Sequence, residues 1–154
     1  YAGYLEREEG LKAVPGNFVD MNGKILGTHK GIIHYTVGQR KGLGLAMGHP
    51  VFVVDIIPET NEVVIGENAD TFSKELIADK TNFMSVERPE DGMQVIGKIR
   101  YAHKGAPCRI YMLDADRVRV VFDEPVRAAT KGQAVVFYAD DHIVGGGTIK
   151  EIIR

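Results

Sequence analysis

Short segments in which apolar and polar residues alternate cover most of the chain. In residues 17–29, two apolar pairs flank the dipeptide Asn22-Gly23. Asn-Gly favours a tight β-turn in which both central residues adopt positive φ. Residues 51–57 and 62–65 form a second pair of apolar segments, joined by four residues typical of a turn. Both patterns predict β-hairpins.

A second set of alternating segments follows the polar stretch 67–82, which shows no clear periodicity. We therefore expect a boundary near residues 70–78, dividing the chain into modules 1–75 and 76–154. Several short strands separated by regular turns predict a small barrel or sandwich. The strands expected after the boundary are residues 94–103, 107–113, 117–123, 133–139 and 143–149, with turns at 114–116 and 140–141. The predicted fold class is mainly β, in two small β-rich modules, with one short helix at residues 4–12.

Composition narrows the classes of protein that remain. The 154 residues are 44% hydrophobic and 26% charged, as in globular domains, and no apolar run is long enough to span a bilayer. A net charge of −2 argues against a sequence-independent nucleic-acid binder, although it allows a local basic patch. The single cysteine, Cys108, excludes an internal disulfide and fits a reducing cytoplasm. The absence of an initiator Met indicates a fragment.

Residues 31–50 carry five glycines and the adjacent cations Arg40 and Lys41. They lack the glycine spacing and the hydroxyl residue of a phosphate-binding loop. Their likeness to a dinucleotide fingerprint is loose, because no parallel βαβ pattern surrounds them. Two interpretations stay open: a turn-rich loop with solvated cations, or contact with an anionic partner through Arg40 and Lys41.

The histidines and the cysteine give little sign of a metal or catalytic centre. No histidine pairs with Cys or another His at a metal-ligand spacing, so we expect no metal site. A nucleophilic Cys108 would need a base nearby, and His103, five residues away on a strand, would lie on the opposite face. We interpret Cys108 as a half-buried strand residue.

The segment KIRYAHKG, residues 98–105, is more informative. Its cations surround Tyr101, and interleaved cations and aromatic rings on strands bind RNA through phosphates and bases. An exposed barrel edge protected from aggregation by Lys and Arg is the alternative interpretation. Arg127, Lys131 and Gln133 add polar side chains at another strand boundary.

Five motifs in order, from residue 16 to residue 149, resemble the C-terminal half of the tRNA-specific 2-thiouridylases, the tRNA-uridine 2-sulfurtransferases or MnmA/TrmU family. The most specific are HYTVGQRKGLG, and FDEPVRAATKGQAVVFY followed by GGGTI. The resemblance implies that residues 1–75 are the family's central adaptor domain. It also implies that residues 76–154 are its C-terminal domain, a six-stranded β-barrel similar to domain 2 of translation factors.

The resemblance further implies a cytoplasmic enzyme that makes 2-thiouridine at wobble position 34 of tRNAs for Lys, Glu and Gln. Such an enzyme uses ATP with Mg²⁺, a Cys persulfide, and a sulfur donor protein such as a cysteine desulfurase or a sulfur carrier. The chain lacks the family's nucleotide motif and both of its catalytic cysteines. We therefore expect that this fragment alone binds no cofactor and is inactive.

Carried over residue by residue, the family's tRNA contacts fall on Arg100, Tyr101 and Gln133. Arg40 and Lys41 match the central-domain signature, where they would face tRNA or the catalytic domain. One alternative is a free-standing β-barrel adaptor that binds a sulfur-relay protein. A second alternative is an independent enzyme that uses Cys108.

Overall fold

A computed structural model describes residues 14–84, 89–99 and 104–154. The chain divides into two units, with the division between Thr71 and Phe72. The helix expected at residues 4–12 lies outside the described residues.

The first unit is built on a four-stranded sheet. Strand order is β2-β1-β4-β3; β1 and β4 are parallel, whereas β1–β2 and β3–β4 are antiparallel. The strands are β1 (Gly16–Val19), β2 (Ile25–His29), β3 (Phe52–Ile57) and β4 (Glu62–Gly66), with 3₁₀ turns at Ile32–His34 and Asn68–Thr71. Both predicted hairpins of this unit are confirmed.

The turn between β1 and β2 differs from the expected one. Gly23 has φ 86°, but Asn22 does not adopt positive φ. The N–H of Gly23 bonds the Asp20 carbonyl at 3.0 Å, and the N–H of Asp20 bonds the Lys24 carbonyl at 2.9 Å. The Asp20 carboxylate also accepts the N–H groups of Asn22 and Lys24 at 2.8 and 2.9 Å. These bonds favour a three-residue loop that ends in a left-handed glycine.

A buried histidine joins the two hairpins of the first unit. His29 is 2% exposed, and its Nδ1 accepts the N–H of Gly31 at 2.9 Å. Its Nε2 therefore carries the hydrogen and donates to the carbonyl of Asn61, in the β3–β4 turn, at 2.7 Å. Phe18 and Tyr35 pack edge-on against the ring. His29 is thus a satisfied core residue.

The second unit is a closed antiparallel barrel of six strands, as predicted. Neighbours around it follow the order β10-β5-β8-β7-β6-β9. The strands are β5 (Phe72–Phe83), β6 (Met93–Lys98), β7 (Ala106–Met112), β8 (Val118–Arg127), β9 (Ala134–Ala139) and β10 (His142–Ile153). The predicted turns at 114–116 and 140–141 join β7 to β8 and β9 to β10, and Asp140 and Asp141 both have positive φ.

The stretch that looked aperiodic is the first barrel strand. Its first residues already pair with β8, Phe72 opposite Arg127 and Glu75 opposite Val121, so the unit begins before the expected division at 75/76. The alternation is hidden for two reasons. Buried positions include the polar Ser73, and the register shifts between Ser73 and Glu75. Within the same strand, Lys80 has φ 51°, outside the extended region of a regular strand.

Three consecutive glycines let β10 close the barrel. This strand pairs with both β9 and β5, and its register shifts beside the glycines on each side. A Cβ on Gly145 would lie 2.5 Å from the Phe83 ring, and a Cβ on Gly146 would lie 2.7 Å from the Val135 carbonyl oxygen. Larger residues would therefore push the neighbouring strands apart. The interior they enclose is apolar: the aromatic rings of Phe122 and Phe137 and several aliphatic side chains are fully buried.

Candidate nucleic-acid interface

The glycine-rich loop is attached to the outer edge of β3. Gly38 donates its N–H to the Val53 carbonyl at 2.7 Å, and Val53 donates to the Gln39 carbonyl at 2.9 Å. The turn before it is closed by the N–H of Gln39, which bonds the Thr36 carbonyl at 3.0 Å, and Gly38 supplies φ 94° at its third position. The Gln39 side chain accepts the Thr36 N–H and donates to the Lys41 carbonyl. The loop therefore has a defined backbone.

This backbone presents the two cations to solvent. Arg40 and Lys41 are both exposed, while Leu43 is buried and anchors the loop. Gly42 and Gly44 have φ of 78° and 70°, which side-chain-bearing residues adopt with strain. These glycines allow the backbone to turn next to the two exposed cations.

Arg40 also lines an open hollow of about 560 Å³. The other lining residues are His49, Pro50, Phe52, Glu67 and Asn68. They come from the end of the glycine-rich loop, the start of β3 and the residues after β4. Lys41 does not line this hollow, so of the two adjacent cations only Arg40 borders it.

On the barrel, Gln133 is held at the start of β9. Gly132 donates to the Ile149 carbonyl, and Ile149 donates to the Gln133 carbonyl, both at 2.8 Å. The N–H of Gln133 closes a turn on Thr130 at 3.2 Å. Its side-chain Oε1 is buried and accepts no hydrogen bond from the part of the chain that the structure describes. The backbone of Gln133 is therefore fixed, whereas its buried Oε1 could reach a ligand only after the side chain moves.

Arg100 and Tyr101 lie outside the described residues. The strand that precedes them in sequence ends beside β9, with Lys98 opposite Val136. The carboxyl end of β6 and the amino end of β9, which follows Gln133, are therefore neighbours. Lys104, which lies just before β7 in sequence, is exposed.

Cys108 has the environment of a core thiol. It is 1% exposed, and its side chain faces Gly97 and Phe122 inside the barrel. Burial, reinforced by the charge of Asp123, raises the pKa of the thiol to about 12. A nucleophilic cysteine needs a lowered pKa, so this site does not suit nucleophilic chemistry.

Sequence reasoning missed the residues that line the hollow together with Arg40. His49 and Pro50 close the glycine-rich segment, and Glu67 and Asn68 follow β4 directly. The predicted β3–β4 hairpin could have indicated them. Hairpin pairing places the start of one strand beside the end of the other, and so brings the residues before β3 close to those after β4. Within the described ranges, no group of three or more His, Cys, Asp or Glu side chains is arranged to hold a metal ion.

Comparison with known proteins gives matches in both units. A family described as the tRNA methyl transferase PRC-barrel domain matches residues 4–67, and the aminomethyltransferase beta-barrel domain family matches residues 73–149. The tRNA-specific 2-thiouridylase MnmA of Lachnoclostridium phytofermentans is 61% identical over 149 residues, 97% of this chain. The chain belongs to the tRNA-specific 2-thiouridylase family. Similar 2-thiouridylases from Carboxydothermus hydrogenoformans and Clostridioides difficile are 51% and 49% identical over 98% of the chain.

The chain spans about two fifths of the length of these 2-thiouridylases, 42% in the Lachnoclostridium protein. The two family matches are separated at residues 68–72, where the structure also divides into its two units. In the described residues, no helix combines the length and the hydrophobicity needed to cross a membrane.

Proposed function

We propose that this chain is the tRNA-binding portion of a tRNA-uridine 2-sulfurtransferase. The observation that carries the proposal is the 61% identity to a tRNA-specific 2-thiouridylase, which extends over 97% of the chain and so includes both units. The enzyme acts in the cytoplasm and forms 2-thiouridine at wobble position 34 of tRNAs for Lys, Glu and Gln. ATP with Mg²⁺ and a persulfide-bearing Cys belong to residues outside this chain, and a cysteine desulfurase or sulfur carrier supplies the sulfur.

The barrel contributes one group of tRNA contacts: Arg100, Tyr101 and Gln133. Gln133 supports this role with a backbone fixed by hydrogen bonds at the start of β9. Arg can bond phosphate through two parallel N–H groups, and Tyr offers a ring to a base or ribose. The strand that precedes Arg100 in sequence, β6, pairs with β9, which follows Gln133.

The glycine-rich loop contributes a second group, Arg40 and Lys41. Both side chains are exposed on a loop whose backbone is bonded to β3. Two such cations attract phosphates even though the chain as a whole carries a net charge of −2. In the full-length enzyme this loop contacts tRNA, or the catalytic domain that tRNA also contacts.

The chain alone neither hydrolyses ATP nor thiolates tRNA. The glycine-rich segment lacks the spacing of a phosphate-binding loop, and Cys108 is a buried thiol with a pKa raised to about 12. Any ATP-dependent appearance of 2-thiouridine with the purified chain would contradict this statement.

The test is tRNA binding by the chain and by full-length enzyme across a salt series, with Arg100→Ala, Gln133→Ala and a control. Losing a charged hydrogen bond costs about 1.5–3 kcal/mol, so Arg100→Ala should weaken binding by roughly ten- to a hundredfold. The salt slope should become shallower by about one phosphate contact. Lys74→Ala, which removes one exposed charge from β5, is the matched control and should bind normally. Wild-type affinity of Arg100→Ala at every salt concentration would refute the barrel patch.

A further inference from the structure

In the first unit, the start of β3 at Phe52 lies between the glycine-rich loop and the end of β4. On one side of β3, the loop residues before Arg40 are hydrogen-bonded to Val53. On the other side, Gly66 at the end of β4 pairs with Phe52, and Glu67 follows it. Arg40 and Glu67 therefore flank the start of β3 from opposite sides. With strands about 4.8 Å apart, their backbones are separated by about 10 Å.

The hollow between them is lined by polar and charged side chains that are not paired with one another. In the described part of the chain, Arg40, His49 and Glu67 form no side-chain hydrogen bond or ion pair, although all three line the same hollow. Exposed opposite charges at this separation leave room for a ligand that is anionic at one end and carries hydrogen-bond donors at the other. The half-buried ring of Phe52 lies between the two ends.

We infer that this hollow holds one unpaired nucleotide of an RNA strand, an inference that rests on the proposed function. The phosphate lies at Arg40 and His49, the base packs on Phe52, and Glu67 accepts from the edge of the base. Arginine bonds phosphate oxygens, and aromatic rings stack on bases of any sequence. Lys41 follows Arg40 but lies outside the hollow, where it meets the phosphate of an adjacent nucleotide.

Glu67 gives the hollow a base preference. An ionised carboxylate only accepts hydrogen bonds, so it pairs with the exocyclic amino groups of adenine, cytosine and guanine. Uracil has no amino group, and its one donor on that edge, N3–H, lies between two carbonyl oxygens that a carboxylate repels. The site therefore favours amino-bearing bases over uracil, and the nucleotide it holds is distinct from the uridine that the enzyme class modifies.

The experiment measures binding of the full chain to labelled oligo(A), oligo(C) and oligo(U) of equal length, and to tRNA, by fluorescence anisotropy at several salt concentrations. Oligo(A) and oligo(C) should bind at least about fivefold more tightly than oligo(U). Glu67→Gln should abolish most of this preference, because an amide both donates and accepts. Arg40→Gln should weaken all three oligonucleotides and reduce the salt slope.

Phe52→Leu should weaken all three oligonucleotides by about fivefold or more through loss of the ring face, whereas Phe52→Tyr should bind normally. Lys24→Gln, an exposed cation in the β1–β2 loop of the same unit, is the control and should change nothing. If Phe52→Leu unfolds, the two surface variants at Arg40 and Glu67 still decide the question. Circular dichroism checks the fold of each variant.

Normal tRNA binding by every hollow variant, or tRNA binding with no oligonucleotide binding, would overturn the inference and leave the proposed function intact. Absence of binding to any RNA at low salt would overturn both. The variants are also tested for binding to a cysteine desulfurase. If the hollow variants lose binding to the desulfurase but keep their RNA affinity, the hollow binds a protein and the nucleotide inference is wrong.

Discussion

The chemical inertness of Cys108 is the prediction that separates an RNA-binding portion from an independent thiol enzyme. Burial raises the pKa of the thiol from its ordinary value of 9.0 to about 12. Because thiolate is the reactive form, each unit lowers reactivity tenfold, and the native protein should hold about a thousandfold less thiolate than an exposed cysteine. At 1% exposure, a reagent also reaches the sulfur only when the barrel opens locally.

The assay is the rate of reaction with a chromogenic disulfide reagent, in native buffer and in denaturant, over a range of pH. Modification of the native chain should be at least about a thousandfold slower than of the unfolded chain. The native rate should stay below the unfolded rate at every pH tested. Rapid native modification with a plateau near neutral pH would refute this interpretation of Cys108.

A matched substitution links the same prediction to function. Cys108→Ala removes only the sulfur from a packed position and should cost about 1 kcal/mol of stability, as for other small deletions in a core. The full-length enzyme should keep its thiolation activity. Loss of activity in a variant whose thermal unfolding is normal would show that the sulfur takes part in the reaction.

Three further predictions concern the scaffold. His29→Ala should lower the free energy of unfolding by about 3 kcal/mol or more in urea titrations, because it leaves the Asn61 carbonyl and the Gly31 N–H without their partner. Gly146→Ala should cost about 1–3 kcal/mol in the same assay, since its Cβ would lie 2.7 Å from a β9 carbonyl; an unchanged midpoint would contradict the packing at the closure. The pKa of Asp114 is lowered from 3.8 to about 2, chiefly by its hydrogen bond from Arg117, so its stabilising effect is present above pH 3.8 and is lost as pH falls through about 2. The urea midpoints of wild type and Asp114→Asn should therefore differ at neutral pH and converge in acid, and a difference that persists in acid would argue against the ion pair.

The hairpins were predictable because their signals are local. Alternation and turn residues located β3–β4 and β9–β10, and the Asp140-Asp141 turn has the positive φ that tight hairpins require. The position of the β1–β2 turn was predicted correctly, but its turn type was not. There the Asp20 carboxylate, bonded to two backbone N–H groups, favours a longer loop than Asn22-Gly23 alone would suggest.

Features that depend on distant partners were harder to read. The strand β5 was missed because many of its residues are polar and because register shifts interrupt its alternation. It is recognisable only from its pairing with β8 and β10. The hollow beside Arg40 combines residues from both sides of β3, which are far apart in sequence. Gln133 was noted at a strand boundary and identified as a tRNA contact from the family resemblance, and its buried acceptor became visible only in the structure. Its assignment as a tRNA contact, like those of Arg100 and Tyr101, stays a prediction.

The pairing of β5 with β10 has a consequence for how the barrel is made. These are the first and last strands of the unit, and Glu75 lies opposite Ile153. During synthesis the cylinder therefore cannot close until its last strand has left the ribosome, so closure comes late and depends on a contact of high sequence separation. Because the two strands are neighbours, a short linker could join them while new termini are opened at the Asp140-Asp141 turn. Such a circular permutant would place β10 at the start of the chain and should allow the same barrel to close in a different order.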